Sequence, residues 1–426
     1  MMTSSSSCPP SFGITSSAPC SFSFKSSARY LLIASPILCH CVKLENNLGF
    51  VLHDALDASG SDSLHARAAR GAFCSQIERL SSIERETSIA INRGVDLGKA
   101  ALHIAAEDDA LISHSSVPLP VDAFVERLDD LSMGFCSLYF PPAGSSPEIF
   151  LGNLERYFYV HHGFRRANPD QSDTRPLYFH SVLIRRSGSA AMLSLIFSEM
   201  LKLLRLWGFL DFDAEIYYPL DPINLPRGFH KQKSKVSDDL HILTSESLLV
   251  EILKNLKHAF WPFPNDSTKS LFLRAAQAAN CIAPPAMAEE SVDSYNNISG
   301  LEVASAKAAQ HRLGRGVWTS VRFGDMRCAL AACERLILLG FDSHEFRDYG
   351  VLLYHCGFYK ESLRYLQQYL ASKNYAEQKL SATTGALERV ALEKLMVRLE
   401  LILMGEGWGQ PPAASRNFLG KYSEPW

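Results

Sequence analysis

The sequence is short of most features that announce a chemistry. Its 426 residues hold 42 Lys and Arg against 45 Asp and Glu, a net charge of -3. Capture of nucleic acid by bulk electrostatics needs a clustered basic face, so no nucleic-acid partner is expected. There is no P-loop, no Rossmann glycine fingerprint and no HExxH, and the six cysteines after residue 44 form no CxxC pair. Cys328 and Cys333 are five apart and would point to different faces of a helix. The adjacent His161 and His162 would diverge by about 100° on a helix, with no carboxylate placed beside them. Neither a metal nor a cofactor is expected. No apolar run is clean enough to span a bilayer either. The longest, Ala190 to Leu210, carries Glu199, Lys202 and Arg205, so it reads as a buried helix of a globular domain.

What is present begins with an unusual N-terminus. The first 44 residues contain 12 Ser, three basic residues (Lys25, Arg29, Lys43) and no acid before Glu45. A Ser-rich, acid-free start with little Arg reads as a chloroplast transit peptide, which places the protein in the stroma. Residues 1–45 are therefore set aside from the fold. Peripheral association with thylakoids remains compatible with this address.

Beyond it the apolar spacing is mainly helical, with 47% hydrophobic residues to fill a core. Helices are predicted at 72–90, 95–107, Val121–Leu131, 148–162, 189–207, Ser247–Phe260 and Leu387–Leu403. A short strand is expected from Asp213 to Tyr218, ended by Pro219. Lys231, Lys233 and Lys235 mark a basic loop, best read as solvated. Two prolines, Asn296-Asn297, Ser and Gly make 281–300 the linker candidate.

The clearest internal signal follows that linker. Gly324, Arg327, Ala329 and Leu330 recur 33 residues later as Gly357, Lys360, Ser362 and Leu363, and Leu336 returns as Tyr369. Phe346-x-x-Tyr349-Gly350-x-x-Leu353 is similar to the first helix of a tetratricopeptide hairpin, where a small residue lets two helices touch. Two such units need caps at both ends.

Taken together, the chain resembles the SirB-type family, a transglutaminase-like core followed by tetratricopeptide-like repeats, in a plant plastid branch. The resemblance rests on Asp96-Leu97-x-x-Ala100-Ala101-Leu102-x-Ile104-Ala105-x-Glu107, Phe124-x-x-Arg127-Leu128-Asp129-x-Leu131 and Asn153-Leu154-x-x-Tyr157-Phe158. It continues in His162-Gly163-Phe164-Arg165, Arg185-Arg186-Ser187-Gly188 and Glu345-x-Arg347-Asp348-x-Gly350. It implies a mainly α (α+β) fold: a degenerate papain/transglutaminase-like helical core with a small sheet, then a helical hairpin module. The expected organisation is transit peptide 1–45, core 46–280, linker 281–300, repeats with a capping helix 301–405, and a disordered tail 406–426.

The resemblance also implies where chemistry would sit. A transglutaminase nucleophile is a Cys at the N-terminus of the central helix, two residues after a Gly, with a His across the cleft. Here that count runs Gly188, Ser189, Ala190, so the nucleophile position holds Ala190. Ser189 reads as a helix N-cap. His230, in Pro226-Arg227-Gly228-Phe229-His230, is the histidine candidate, with His241 competing, and no Asp-Pro element follows in the right order. The catalytic positions Ser189, Ala190 and His230 therefore read as degenerate. The expected function is non-catalytic protein binding in the chloroplast, through the repeat residues Arg347, Tyr354, Tyr359 and Arg364. Help in assembling or maintaining a protein complex, photosynthetic complexes included, would fit. The alternative is a papain-like amide hydrolase or acyl transferase with a displaced nucleophile, for which Cys136 and Cys74 are the candidates in the core.

Overall fold

The structure, a computed structural model, describes residues 50–281 and 319–409 apart from short internal gaps, the longest at 232–243, 264–269 and 375–382. The transit segment, the linker beyond Cys281, residues 301–318, His241, Lys233, Lys235 and the expected tail from Gln410 lie outside the described residues, whereas 406–409, expected to be disordered, continue the last helix. The described chain is mostly helical with small two-stranded sheets, as the spacing predicts.

The first half builds a helical shell. It comprises α1 (Leu52–Ala58), α2 (Leu64–Glu78), α3 (Leu97–Ser113), α4 (Val121–Leu138) and α5 (Pro147–Glu155). Local chemistry sets the starts. Asp96 Oδ1 accepts from Lys99 N at the head of α3, and Ser146 Oγ accepts from Ile149 N ahead of Pro147. The helix predicted over 148–162 is one element with a change of gauge: Arg156–His161 is π-helical. The wider turn carries Tyr157 to a hydrogen bond with Leu131 O and sets Phe158 against Phe164 and Phe197.

At the centre lies α7 (Ala190–Leu206), reached through β1 (Arg165–Arg166), α6 (Phe179–Arg185) and β2 (Ser187–Gly188). Every residue of α7 from Ala190 to Leu201 is buried, which explains the long apolar run without a membrane. Among the described residues no helix is long and apolar enough to cross one. Packed around α7 are α3, α4, α6, the strand β3 (Ala214–Tyr217) and α8 (Ser245–Ala259). Strand β3 pairs antiparallel with β4 (Arg227–His230), a segment whose sequence reads as loop.

After α9 (Leu271–Ala278) and the small β5 (Thr319–Ser320) and β6 (Gly324–Asp325) come α10 (Met326–Leu339), α11 (His344–His355), α12 (Tyr359–Asn374) and α13 (Thr383–Gly409). Helices α10 and α12 carry the 33-residue recurrence, and α11 and α12 form a tight hairpin. The small residue is needed where expected. A Cβ on Gly350 would stand 2.7 Å from Leu366 Cδ2, and Ser362 Oγ donates to Gly350 O at 2.7 Å. Gly350→Ala should therefore cost about 1–3 kcal/mol through overpacking. An unshifted urea midpoint would show that the hairpin is looser than drawn. At the other end of this array α13 packs on α12 and α9.

Residues on the two sides of the linker share one continuous apolar core. They also share buried charge. Arg335 of α10, fully buried, donates through Nη2 to Asp108 Oδ1 at 2.5 Å and through Nε to Glu107 Oε2 at 3.1 Å, both on α3. Arg70 of α2 grips the same Glu107 with two bonds of 2.7 and 2.8 Å and lies 2.9 Å from Glu334 of α10. His53 meets Glu107 at 3.0 Å, and Tyr349 of α11 donates to Glu334 at 2.6 Å. Five elements thus converge on three carboxylates and two guanidiniums.

Candidate functional site

The geometry that would house a nucleophile is built by a short crossover. Arg186 closes α6 in the left-handed region at φ 59°, and β2 then pairs parallel with β1. Arg165 N donates to Arg186 O at 2.8 Å and Ala167 N to Gly188 O at 2.9 Å. Gly188 is required by packing, since a Cβ there would come within 2.7 Å of Val182 Cγ1. The following residue turns the chain into α7.

Ser189 is the N-cap of α7. Its Oγ accepts from Met192 N at 3.3 Å, and its own N–H donates to Pro176 O at 3.0 Å. The hydroxyl is thus committed to one of the free amides that every helix start leaves unsatisfied. Ala190, the first helical residue, is buried and offers a methyl where the resemblance would need a thiol. One turn on, Ser194 is fully buried in the interior, as its position in the sequence suggests.

His230 does not complete that site. Strand β3 runs back along α7 after the turn at Trp207–Gly208, and His230 pairs with Ala214 at the start of that strand. Asp213, one residue earlier, is tied to Arg205 at 3.0 Å. His230 thus sits on the strand pair that follows α7, and no bond ties it to the start of that helix among the described residues. The ring of His230 meets Phe212 edge-on at 5.5 Å. Among the described residues it has no hydrogen bond to a cysteine or serine. On the same face of β4, Gly228 backs directly onto Phe197 and Leu151. The histidine is part of an apolar seam with Phe212.

The thiol candidates are no better placed. Cys136 is half-buried on α4 and Cys74 half-buried on α2, beside Arg70. Burial pushes both thiols up, away from the thiolate that attack requires. His161 and His162 lie 5.1 Å apart with their rings nearly perpendicular, packed on Tyr157. Among the described residues no three His, Cys, Asp or Glu side chains are grouped to hold a metal ion.

The binding candidates of the repeat region divide. Tyr354 and Tyr359 are half-buried neighbours, ring centroids 5.7 Å apart, with Arg398 of α13 at 6.0 Å over Tyr354. Arg364 is exposed on α12. Arg347, expected at a binding surface, is instead buried. Its guanidinium bonds Asp348 and Glu388 at 3.0 and 2.6 Å and lies over the Phe272 ring at 4.6 Å. Beside it Lys257 of α8 bonds Glu345 and Asp348 at 2.6 and 3.0 Å. The motif Glu345-x-Arg347-Asp348 is thus internal bracing between α8, α11 and α13. The larger omission of the sequence reading is Arg335. A Glu334-Arg335 pair inside the apolar run of α10 was the available signal, because a charge amid apolar spacing needs a buried partner.

The profile of the transglutaminase-like superfamily matches residues 122–207, from the start of α4 through the last turn of α7. The chain therefore carries a transglutaminase-like domain there. The matched segment includes the turn into α7 and ends before β3 and β4, so His230 falls outside it. No curated protein and no solved structure matches the chain.

Proposed function

We propose that the protein is a non-catalytic, protein-binding scaffold of the chloroplast stroma, a SirB-type chain whose transglutaminase-like core now serves as a structural body. The observation that carries this reading is the start of α7. The nucleophile position is Ala190, the adjacent Ser189 hydroxyl is used as a cap, and the ring of His230 packs on Phe212. Acyl transfer needs nucleophile and base within about 3 Å of each other, and among the described residues nothing at this helix start supplies that pair. A displaced cysteine gains no support, since burial pushes Cys74 and Cys136 toward the unreactive thiol.

Binding is assigned to the tetratricopeptide-like end, where Tyr354, Tyr359 and Arg364 remain as candidate contacts on a helical hairpin. Help in assembling or maintaining a complex, a photosynthetic complex being one case, is the work such a scaffold would do.

The test uses point variants, because deleting α10–α13 would strip Arg335 from Glu107 and Asp108. Thiol- and hydroxyl-directed activity probes should leave the wild-type chain unlabelled around α7. Ser189→Ala should lose about 1 kcal/mol of stability in urea titration and nothing in probe reactivity. Covalent labelling at Ser189, or at Cys136 or Cys74 in a way that His230→Ala abolishes, would instead establish the enzyme. An Arg364→Ala chain should lose wild-type partners from stromal extract while keeping its melting temperature, since that side chain is exposed.

A further inference from the structure

Helix α13 is apolar on two opposite faces. Ala391, Leu392, Leu395 and Leu399 are buried against the body of the protein. On the other side Leu387, Val390, Val397, Leu401 and Met404 are between 46% and 61% exposed. A globular surface helix normally presents charge there.

The exposed set is ordered. Positions 387, 394 and 401 are seven apart, as are 390, 397 and 404, and the two series are offset by three. That is the a/d pattern of a two-stranded coiled coil, with Leu387, Lys394 and Leu401 at a and Val390, Val397 and Met404 at d. The register places Glu393 and Glu400 at g on one flank and Arg398 at e on the other. The seam spans about 27 Å at the helical rise.

We propose that this seam pairs with the same seam of a second copy of the chain, as a parallel two-stranded coiled coil about a two-fold axis. Charge complementarity selects the occupant and the direction. In a parallel pair the g position of one helix meets the e position five residues later on the other, which sets Glu393 against Arg398 of the second copy. Glu393 also precedes Lys394 directly, so each acid borders the other copy's Lys394. In an antiparallel pair like flanks meet, and Glu393 and Glu400 would face their own counterparts. Arg398 is held on its own body, donating to Ala279 O through Nη1 and lying over the Tyr354 ring, so it meets the second helix as a charge rather than as a free donor. Lys394 in the seam weakens the pair and disfavours larger bundles. Because α13 is already held helical by its buried face, association does not have to pay for folding the helix.

The test is sedimentation equilibrium of the full chain at loadings up to about 100 µM, a range that reports micromolar dissociation constants. The expected mass is twice the 47.3 kDa of one chain. Val397→Glu/Leu401→Glu should return it to the single-chain mass with unchanged far-UV circular dichroism, since both side chains are exposed. Lys394→Ile should tighten the dimer at least about tenfold, or about 1.4 kcal/mol. Leu387→Cys should form an interchain disulfide on mild oxidation, because a positions meet across a parallel pair. A wild-type mass of one chain throughout would overturn the proposal, as would a dimer indifferent to Val397→Glu/Leu401→Glu. A dimer in which Leu387→Cys fails to cross-link would overturn the parallel arrangement. If a different protein covers the seam, the isolated chain stays single and the proposal fails with it.

Discussion

Arg335→Met should lower the unfolding free energy by about 3–5 kcal/mol, because it leaves Glu107 and Asp108 ionised, buried and without their main counter-charge. Both carboxylates are at most 1% exposed, and so is Arg335. Burial by itself would raise the Glu107 carboxyl. Arg335 and Arg70 outweigh it and hold that group well below the ordinary carboxylate range. A depressed carboxylate contributes stability that is present above its unfolded pKa and is lost as pH falls through the folded value. The loss in Arg335→Met should therefore be largest near neutral pH and shrink in acid, where protonating Glu107 removes the orphaned charge. The discriminating control is Glu107→Gln/Asp108→Asn/Arg335→Met, which removes acids and base together and should recover part of the loss. If Arg335→Met unfolds at the same urea concentration as wild type, the buried network is not what joins α10 to α3.

Glu199→Gln should change the pH profile more than the mid-range stability. Glu199 lies on the buried side of α7, with Gly98 closed against it: a Cβ there would meet Glu199 Cγ at 3.4 Å. Burial pushes its carboxyl up to about 7. The Lys202 ammonium, 3.5 Å away, and a bond from the Gly98 backbone pull it down, while Asp96 pushes it further up. The sign follows from comparing the two states. The unfolded chain releases this proton near the model value of 4.5, and the folded chain holds it until about 7. The contribution is full below 4.5 and lost as pH rises through about 7, a swing of about 3 kcal/mol. Gln keeps the neutral shape and has no proton to lose. Glu199→Gln should match wild type near pH 4 and exceed it by up to that amount at pH 8.

His355 of α11 slopes the other way. Burial holds it down to about 4, with Ala275 O accepting its ring N–H at 2.9 Å, so its contribution is lost as pH falls from 6.5 toward 4. The wild-type curve alone would blur the two. The difference between wild type and Glu199→Gln isolates the glutamate, and identical curves from pH 4 to 8 would refute it.

Much of this architecture can be read residue by residue. Helices α3, α4 and α8 show their 3.6-residue spacing in sequence, because one face of each is apolar over three or more turns, and α7, buried all round from Ala190 to Leu201, shows as one long apolar run. Short elements escape that reading. Helix α9 has eight residues and α6 seven, too few turns for a period to emerge, and β4 exists because β3 pairs with it. The π-helical turn at Arg156–His161 is invisible for a similar reason. It answers to the position of Leu131 and Phe197, which belong to other helices.

Within the candidate site the division is equally physical. Sequence alone determined that Ala190 opens α7 and that Ser189 caps it, because identity and the first helical turn are local. It also determined the 33-residue recurrence and the need for a small residue at Gly350. Tertiary structure decided everything that depends on what lies across a gap. It paired His230 with Ala214 on β3, turned Arg347 inward to Asp348 and Glu388, and buried Arg335 against Glu107 and Asp108, 227 residues earlier for the last pair. It also decided which apolar face of α13 was spent on the core and which was left outside. A side chain's charge and shape are written in the chain, but its partner is chosen by distance, and distance between remote residues exists only once the chain has folded.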